Sequence, residues 1–280
     1  MENKTIVILG NTRFDSDIQA TSLFIARGLA KNNKVFFVDY PFTLKDYYAK
    51  DNAETLELRE NKFSYFSDGL MDTDLPNLKV IITPPVVPVN FLPEGIIYRT
   101  ALKLNEDIIA ARIKKVLKKQ KITSFIYINA FNFHYPNLAK QIKPALTVYH
   151  CVDPIIVPYD VKHGRLSEQQ LVKESDVVIC TSKALYNEKL PLNKNTYFVP
   201  NASDVDHFNA ALDTALPVHE KLKDIPKPVI GYLGTIERRI DYELLMDAAK
   251  ANTARSFVLA GPVWGDHIPA SMAAIPNIYT

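Results

Sequence analysis

The sequence predicts an α/β protein built as two successive units, each a doubly wound sheet of parallel strands. Two observations carry this. Short apolar runs rich in Val, Ile, Phe and Tyr recur along the chain with little polar alternation, the pattern of strands covered on both faces. Segments of helical period separate them, and strand–helix–strand repetition builds a parallel sheet.

The first series of predicted strands is Thr5–Gly10, Lys34–Tyr40, Lys79–Thr83, Ser124–Asn129, Leu146–Val152, Val177–Thr181 and Thr196–Pro200. Helices are expected between them over Asp17–Lys31, Tyr98–Gln120 and Ser167–Ser175. A second series opens after Pro226, with a strand over Pro228–Gly234, a helix over Tyr242–Ala251, a strand over Ser256–Ala260 and the start of another over Asn277–Thr280. Residues 1–201 therefore read as an N-terminal domain, 202–227, polar and proline-punctuated, as a linker, and 228–280 as a partial second domain. The second series is of marginal size for its own core and leaves a strand edge unpaired. It is expected to be incomplete, the natural chain being longer, and its apolar Val229, Ile230, Leu233, Phe257, Val258 and Leu259 are expected to be poorly protected.

With 280 residues, 47% of them apolar, the chain can fill two cores. A net charge of +2 lacks the concentrated basic surface that nucleic acid requires, so no nucleic-acid partner is expected. Cys151 and Cys180 offer neither a disulfide framework nor metal-ligand spacing, and the six histidines show no His-x-x-x-His pattern. No metal and no resident cofactor are expected, and the thiols read as buried in a reducing compartment. The opening MENKTIVILG is not a signal peptide, because its apolar run is short and ends at Gly10. No stretch approaches the roughly 20 apolar residues that span a bilayer, and a cytoplasmic location is expected.

The helix over 98–121 carries Arg112, Lys114, Lys115, Lys118, Lys119 and Lys121 against an apolar face of Leu102, Ile109, Ile113, Val116 and Leu117. A basic amphipathic helix can dock on anionic lipid on the cytoplasmic face of a membrane. The alternative is the solvated face of an ordinary sheet-covering helix.

Candidate sites gather at strand ends. Gly10 is followed by Asn-Thr-Arg-Phe-Asp and the next glycine is Gly28, so the G-x-G-x-x-G fingerprint of a dinucleotide site is absent, as is a Walker sequence. Asp39, at the end of the second strand, then reads as a loop or acceptor-site residue. The second unit opens Pro228-Val-Ile-Gly-Tyr-Leu-Gly-Thr-Ile-Glu-Arg-Arg-Ile-Asp, which delivers Gly231, Gly234, Arg238 and Arg239 to a turn before a helix capped by Asp241. Glycine admits close approach of a ligand, and arginine with helix N-terminal amides favours a diphosphate. An ordinary strand-to-helix turn with solvated arginines is the competing reading. The next strand ends at Gly261, a second glycine on the edge where open α/β sheets bind ligands. In the first unit His150 and Asp153 end one strand and His134 follows another. They are candidates for contacting or orienting an acceptor, or else a satisfied inward histidine and a turn-capping aspartate.

Four segments in order resemble the retaining GT-B glycosyltransferases of the sucrose-synthase-like group, most closely the bacterial teichuronic-acid biosynthesis type. They are Tyr149-His-Cys-Val-Asp-Pro, Glu174-Ser-Asp-Val-Val-Ile-Cys-Thr-Ser-Lys-Ala-Leu, Val199-Pro-Asn-Ala-Ser-Asp-Val-Asp-His-Phe, and Pro228-Val-Ile-Gly-Tyr-Leu-Gly with Phe257-Val-Leu-Ala-Gly-Pro. The resemblance covers most of residues 146–280 and the N-terminal half loosely. It implies a GT-B-like fold of two Rossmann-like domains and transfer of a sugar from a UDP- or GDP-sugar, without metal, to a glycan or lipid-linked acceptor in cell-surface polysaccharide synthesis. It places Gly234 at the donor diphosphate, Arg238 or, in an alternative register, Arg239 as the phosphate-binding cation, Gly261 by the base, and Asn201 at the domain junction. Ala202 stands where the family has glycine, and the family's arginine/lysine pair is differently spaced. Its acidic donor motif would fall beyond Thr280. Two other readings stay open: a sugar-nucleotide- or partner-binding remnant without turnover, and a GT-B UDP-sugar epimerase.

Overall fold

Val7 and Leu9 face one core and Ile6 and Ile8 the other, so the first predicted strand, β1 (Thr5–Leu9), is covered on both sides. The computed structural model describes residues 1–16, 20–49, 53–213 and 215–280. The chain divides into two units, Met1–Ala202 and Ser203–Thr280.

In the first unit β1 is followed by α1 (Thr21–Ala30), β2 (Lys34–Val38), α2 (Leu44–Ala49), α3 (Ala53–Phe63), β3 (Leu70–Asp72), β4 (Leu78–Ile81) and α4 (Ile96–Lys119). Then come β5 (Ile126–Ala130), α5 (Leu138–Ile142), β6 (Leu146–Cys151), α6 (Pro158–Glu174), β7 (Val177–Cys180), α7 (Lys183–Lys189) and β8 (Thr196–Phe198). The sheet order is β3-β4-β2-β1-β5-β6-β7-β8. Its pairings are parallel except for β3, which runs antiparallel to β4 at the edge. The chain works outward from β1 through β2 and β4, then returns to place β5 against the other side of β1. That reversal opens a crevice at the carboxyl ends of β1 and β5.

All seven predicted strands of this unit are present; β3 and the helices α2, α3, α5 and α7 are additions, each short or predominantly polar. The described part of the first predicted helix begins at Thr21, while 17–19 lie outside the described residues. Helix α6 begins already at Pro158, ahead of the predicted Ser167, with proline in its first turn.

Helix α4 decides between the two readings of the basic segment. Leu102, Ile109, Ile113, Val116 and Leu117 are all in the core against the sheet. Arg112 is buried and donates to the carbonyls of Phe63, Ser64 and Ser67, and Lys115 donates to Tyr65 O. The apolar face that an interfacial helix would insert is already used, and Arg112 is a loop anchor rather than a surface cation.

The second unit holds α8 (Val205–Asn209), a 3₁₀ turn at Ala210–Leu212, α9 (Glu220–Lys223), β9 (Val229–Leu233), α10 (Tyr242–Ala251), β10 (Ser256–Ala260), a 3₁₀ turn at Ala270–Ala274 and β11 (Ile278–Tyr279). Its parallel sheet runs β11-β10-β9. Leu245 and Met246 of α10 pack with Phe257 and Leu259 of β10, Met272 and Ile275. The expected lack of protection is therefore confined to one strand. Val229, Ile230 and Leu233 of the edge strand β9 are exposed, but Phe257, Val258 and Leu259 of central β10 are buried.

Candidate functional site

At the crevice, two asparagines that periodicity does not single out hold the carboxyl ends of β1 and β5 together. Asn129 and Asn132 are fully buried. Asn129 Oδ1 accepts from Asn132 N at 2.8 Å, and Asn129 Nδ2 donates to Asn132 O at 2.9 Å. Asn132 Nδ2 reaches across to Gly10 O at 2.8 Å. This closes a tight turn in which Phe131 has φ 57°, a left-handed conformation that non-glycine residues adopt only when neighbours impose it. Asn132 Oδ1 then accepts from His134 N at 3.2 Å, so the turn sets where His134 leaves the sheet.

Beside it, Asp39 Oδ1 accepts from Phe14 N at 2.7 Å, and its Oδ2 accepts from Arg59 Nε at 2.6 Å. The Arg59 guanidinium continues to Asp15 with bonds of 2.6 and 2.8 Å. Burial pushes the Asp39 carboxyl up and Arg59 pulls it back. Of the two readings of Asp39, a loop or an acceptor-site residue, the bonds favour the loop: its oxygens are spent on holding the loop after β1.

His134 is about one-quarter exposed, with Nε2 3.8 Å from Asp160 Oδ1 and the Tyr40 and Phe133 rings against it. Burial lowers its pKa against the opposing pull of Asp160, which keeps the imidazole neutral at pH 7 and able to accept a proton. His150 is level with Ala130 and Ile179 in the sheet. It is buried, its Nδ1 has no hydrogen-bond partner among the described residues, and burial lowers its pKa. The reading of an inward histidine satisfied by a neighbour fails at that nitrogen. Asp153 is exposed past the end of β6, and Asn201 is exposed past β8.

Below β6 lies a network absent from the sequence reading. Glu168 of α6 accepts from Tyr149 OH at 2.9 Å and from Lys189 Nζ at 2.7 Å. Cys151 Sγ lies 3.4 Å from the same carboxylate, and Cys151 is paired in register with Cys180. Both cysteines are buried and free. Among the described residues no group of three or more His, Cys, Asp and Glu side chains is arranged to hold a metal ion.

In the second unit the strand ends β9 and β10 continue as a paired ribbon. Gly234 N donates to Ala260 O at 3.0 Å, Ile236 N to Pro262 O at 2.9 Å and Trp264 N to Ile236 O at 2.9 Å. A Cβ on Gly261 would stand 2.0 Å from Gly234 O, and Gly261 has φ 150°, so both space and backbone demand glycine there. Arg238 and Arg239 are exposed on the turn that follows. They are not equivalent: Arg239 pairs with Glu237, while Arg238 has no ion-pair partner among the described residues. The Asp241 side chain accepts from Leu244 N at 3.0 Å, as the sequence predicts. That cap, with Glu243 in the first turn, places negative charge at the helix start. The anion-binding potential of this edge therefore rests on the glycine loops and Arg238 rather than on α10.

No family model and no curated protein matches the sequence. Solved structures do match the fold. The catalytic domain of starch synthase IV from Arabidopsis thaliana, bound to ADP and acarbose, is 13% identical over 98% of this chain and 71% of that one, with a TM-score of 0.57. A UDP-glucosyltransferase from Polygonum tinctorium is 10% identical over 99% and 71%, with a TM-score of 0.55. UDP-N-acetylglucosamine 2-epimerase from Rickettsia bellii is 13% identical over 100% and 69%, with a TM-score of 0.51. At these identities the likeness is one of architecture, and the architecture is GT-B-like, with Rossmann-like parallel sheets.

Proposed function

We propose that the protein is a glycosyltransferase that takes a sugar from a nucleotide-sugar donor, UDP- or GDP-linked, and passes it to a saccharide or lipid-linked acceptor in cell-surface polysaccharide synthesis. The observation that carries this is the strand-end turn of the second unit, where Gly234 and Gly261 close the ends of two parallel strands and Arg238, with no ion-pair partner among the described residues, follows on the same turn. Such an edge can take a diphosphate through main-chain amides and one guanidinium. Two fold neighbours named for nucleotide chemistry, the starch synthase bound to ADP and the UDP-glucosyltransferase, support it. In the reaction the bond from the sugar's anomeric carbon to the diphosphate breaks and one to an acceptor hydroxyl oxygen forms. Arg238 offsets the charge that develops on the leaving diphosphate. On the first unit, neutral His134 is the group suited to receive the hydroxyl proton, and the exposed Asp153 can contact a sugar hydroxyl. The polysaccharide role rests on the resemblance of the four sequence segments.

Calorimetric titration with UDP and GDP tests the donor site. One of the two should bind, and Arg238→Ala should weaken it by about tenfold or more, the equivalent of roughly 1.5–3 kcal/mol for a charge-assisted bond. Arg239→Ala should change it less than Arg238→Ala, because Arg239 is turned to Glu237. No binding of either nucleotide, or equal losses in both variants, would remove the assignment. The 2-epimerase neighbour favours a second reading, and incubation with the nucleotide-sugar alone separates it: an epimerase converts the donor without any acceptor.

A further inference from the structure

The loop after β1 presents one arginine that the fold leaves without a hydrogen bond. Residues 10–15 are pinned at three points: Asn132 Nδ2 donates to Gly10 O, Asp39 Oδ1 accepts from the Phe14 amide, and Arg59 holds the Asp15 carboxylate. Arg13 stands between these anchors. Its guanidinium stacks on the Phe42 ring, with Cζ 3.6 Å from the centroid, which fixes its plane and leaves its N–H edge to other partners. The side chain is 23% exposed, and its Nη2 lies 3.9 Å from Asp46 Oδ2, beyond a hydrogen bond. Its Nε is buried with no hydrogen-bond partner among the described residues. Burial pushes the Arg13 pKa down against the pull of Asp39 and Asp46. A partly buried guanidinium with unmet donors is costly unless something else satisfies it.

The acids around Arg13 are committed elsewhere, with one exception. Asp39 and Asp15 bind Arg59, and Asp46 Oδ2 accepts from Thr43 N at 2.9 Å. Glu54, exposed on the rim, is the remaining acid. Arg13 lines a cavity of about 590 Å³ at the carboxyl ends of β1 and β2, within the size range of small-molecule sites. Asn11, Thr12, Ser16, Thr55 and Tyr40 line it too, and amide and hydroxyl side chains of this kind suit the hydroxyl groups of a ligand. Tyr40 also lies edge-on to the His134 ring, with centroids 6.0 Å apart, and His134 is the group assigned to receive the acceptor proton. A polyol with one anionic group fits this lining. Its hydroxyls meet the neutral side chains, and two anionic oxygens meet the fork of Arg13. Because the loop is already pinned, little ordering is required when such a ligand binds.

We propose that the acceptor saccharide carries a carboxylate or a phosphate, and that Arg13 selects it by that charge. This rests on the reading of the first unit as the acceptor side. Titration of the whole protein with glucuronate, glucose 6-phosphate and glucose, followed by ligand-observed NMR, tests it. At least one of the two anionic sugars should bind about tenfold more tightly than glucose, and the one that does so identifies the anion. Arg13→Gln should abolish that preference, and Arg13→Lys should keep part of it, since a point charge then replaces the fork. Unaltered circular dichroism melting confirms the fold of both variants. A wild type that binds glucose as well as both anions, or binds none of the three, overturns the proposal whatever the variants do. So does an Arg13→Gln variant that keeps the preference, or one that loses UDP or GDP as well, because Arg13 would then serve the donor diphosphate. A nucleotide titration that fails while the anionic sugar still binds removes the donor site and leaves this one standing.

Discussion

Arg59 is completely buried yet fully partnered, by Asp39, Asp15 and the Thr55 carbonyl. Its value lies in what would be left without it. Arg59→Met would strand the Asp39 carboxylate, 2% exposed, with only the Phe14 amide. Removing one partner of a buried ion pair costs about 3–5 kcal/mol, although replacing the whole cluster with apolar side chains can cost nothing. Urea unfolding followed by far-UV circular dichroism should show that loss, and a change below about 1 kcal/mol would mean that the pair is hydrated and weak. Asp39 could be placed at a strand end from sequence, but its partner could not, because Arg59 arrives from α3 on a helix with little periodic signal. His150 shows the same boundary. Its place on β6 is legible, whereas the lack of a partner for Nδ1 depends on which strands flank it.

At the scale of elements, the ribbon linking the ends of β9 and β10 is the most constrained part of the second unit. Gly261→Ala would drive a methyl group into the Gly234 carbonyl and hold alanine at φ 150°, a cost on the order of 1–3 kcal/mol for the backbone alone. The chain's single tryptophan, Trp264, sits on this ribbon, so its fluorescence reports the unit directly. The urea midpoint seen by Trp264 should fall in Gly261→Ala, and an unmoved midpoint would show that the loops are loose. Both glycines were legible as strand-end glycines. Their mutual contact was not, since it needs β10 to lie parallel beside β9 in one register. Helix α4 makes the converse point. Its amphipathic period is plain in sequence, but burial of Arg112 follows from the segment 63–69 folding over it.

At the scale of the whole molecule, the two units each have their own core, and their sizes differ. The first fills both faces of an eight-stranded sheet, the second packs one helix and a 3₁₀ turn on three strands. Among the described residues between Ser203 and Asp224 only short helices occur, and neither α8 nor α9 has a buried residue. Limited proteolysis should therefore cut first in that stretch and leave the first unit intact, because cleavage follows local opening. Survival of the intact chain while the first unit is nicked, or a first cut within the sheet of the first unit, would contradict this ordering.

The sequence by itself determined the alternation of strands and helices, the existence of two successive α/β units, the placement of Gly234, Gly261, Arg238 and Arg239 at strand ends, and the Asp241 cap. These are local properties, set by side-chain period and backbone preference within a few residues. Only the tertiary structure decided that Asn132 ties His134's loop to Gly10 and that Cys151 stands opposite Cys180. The physical reason is that such contacts join residues far apart in the chain, and strand order brings them together while leaving no repeating mark in the sequence.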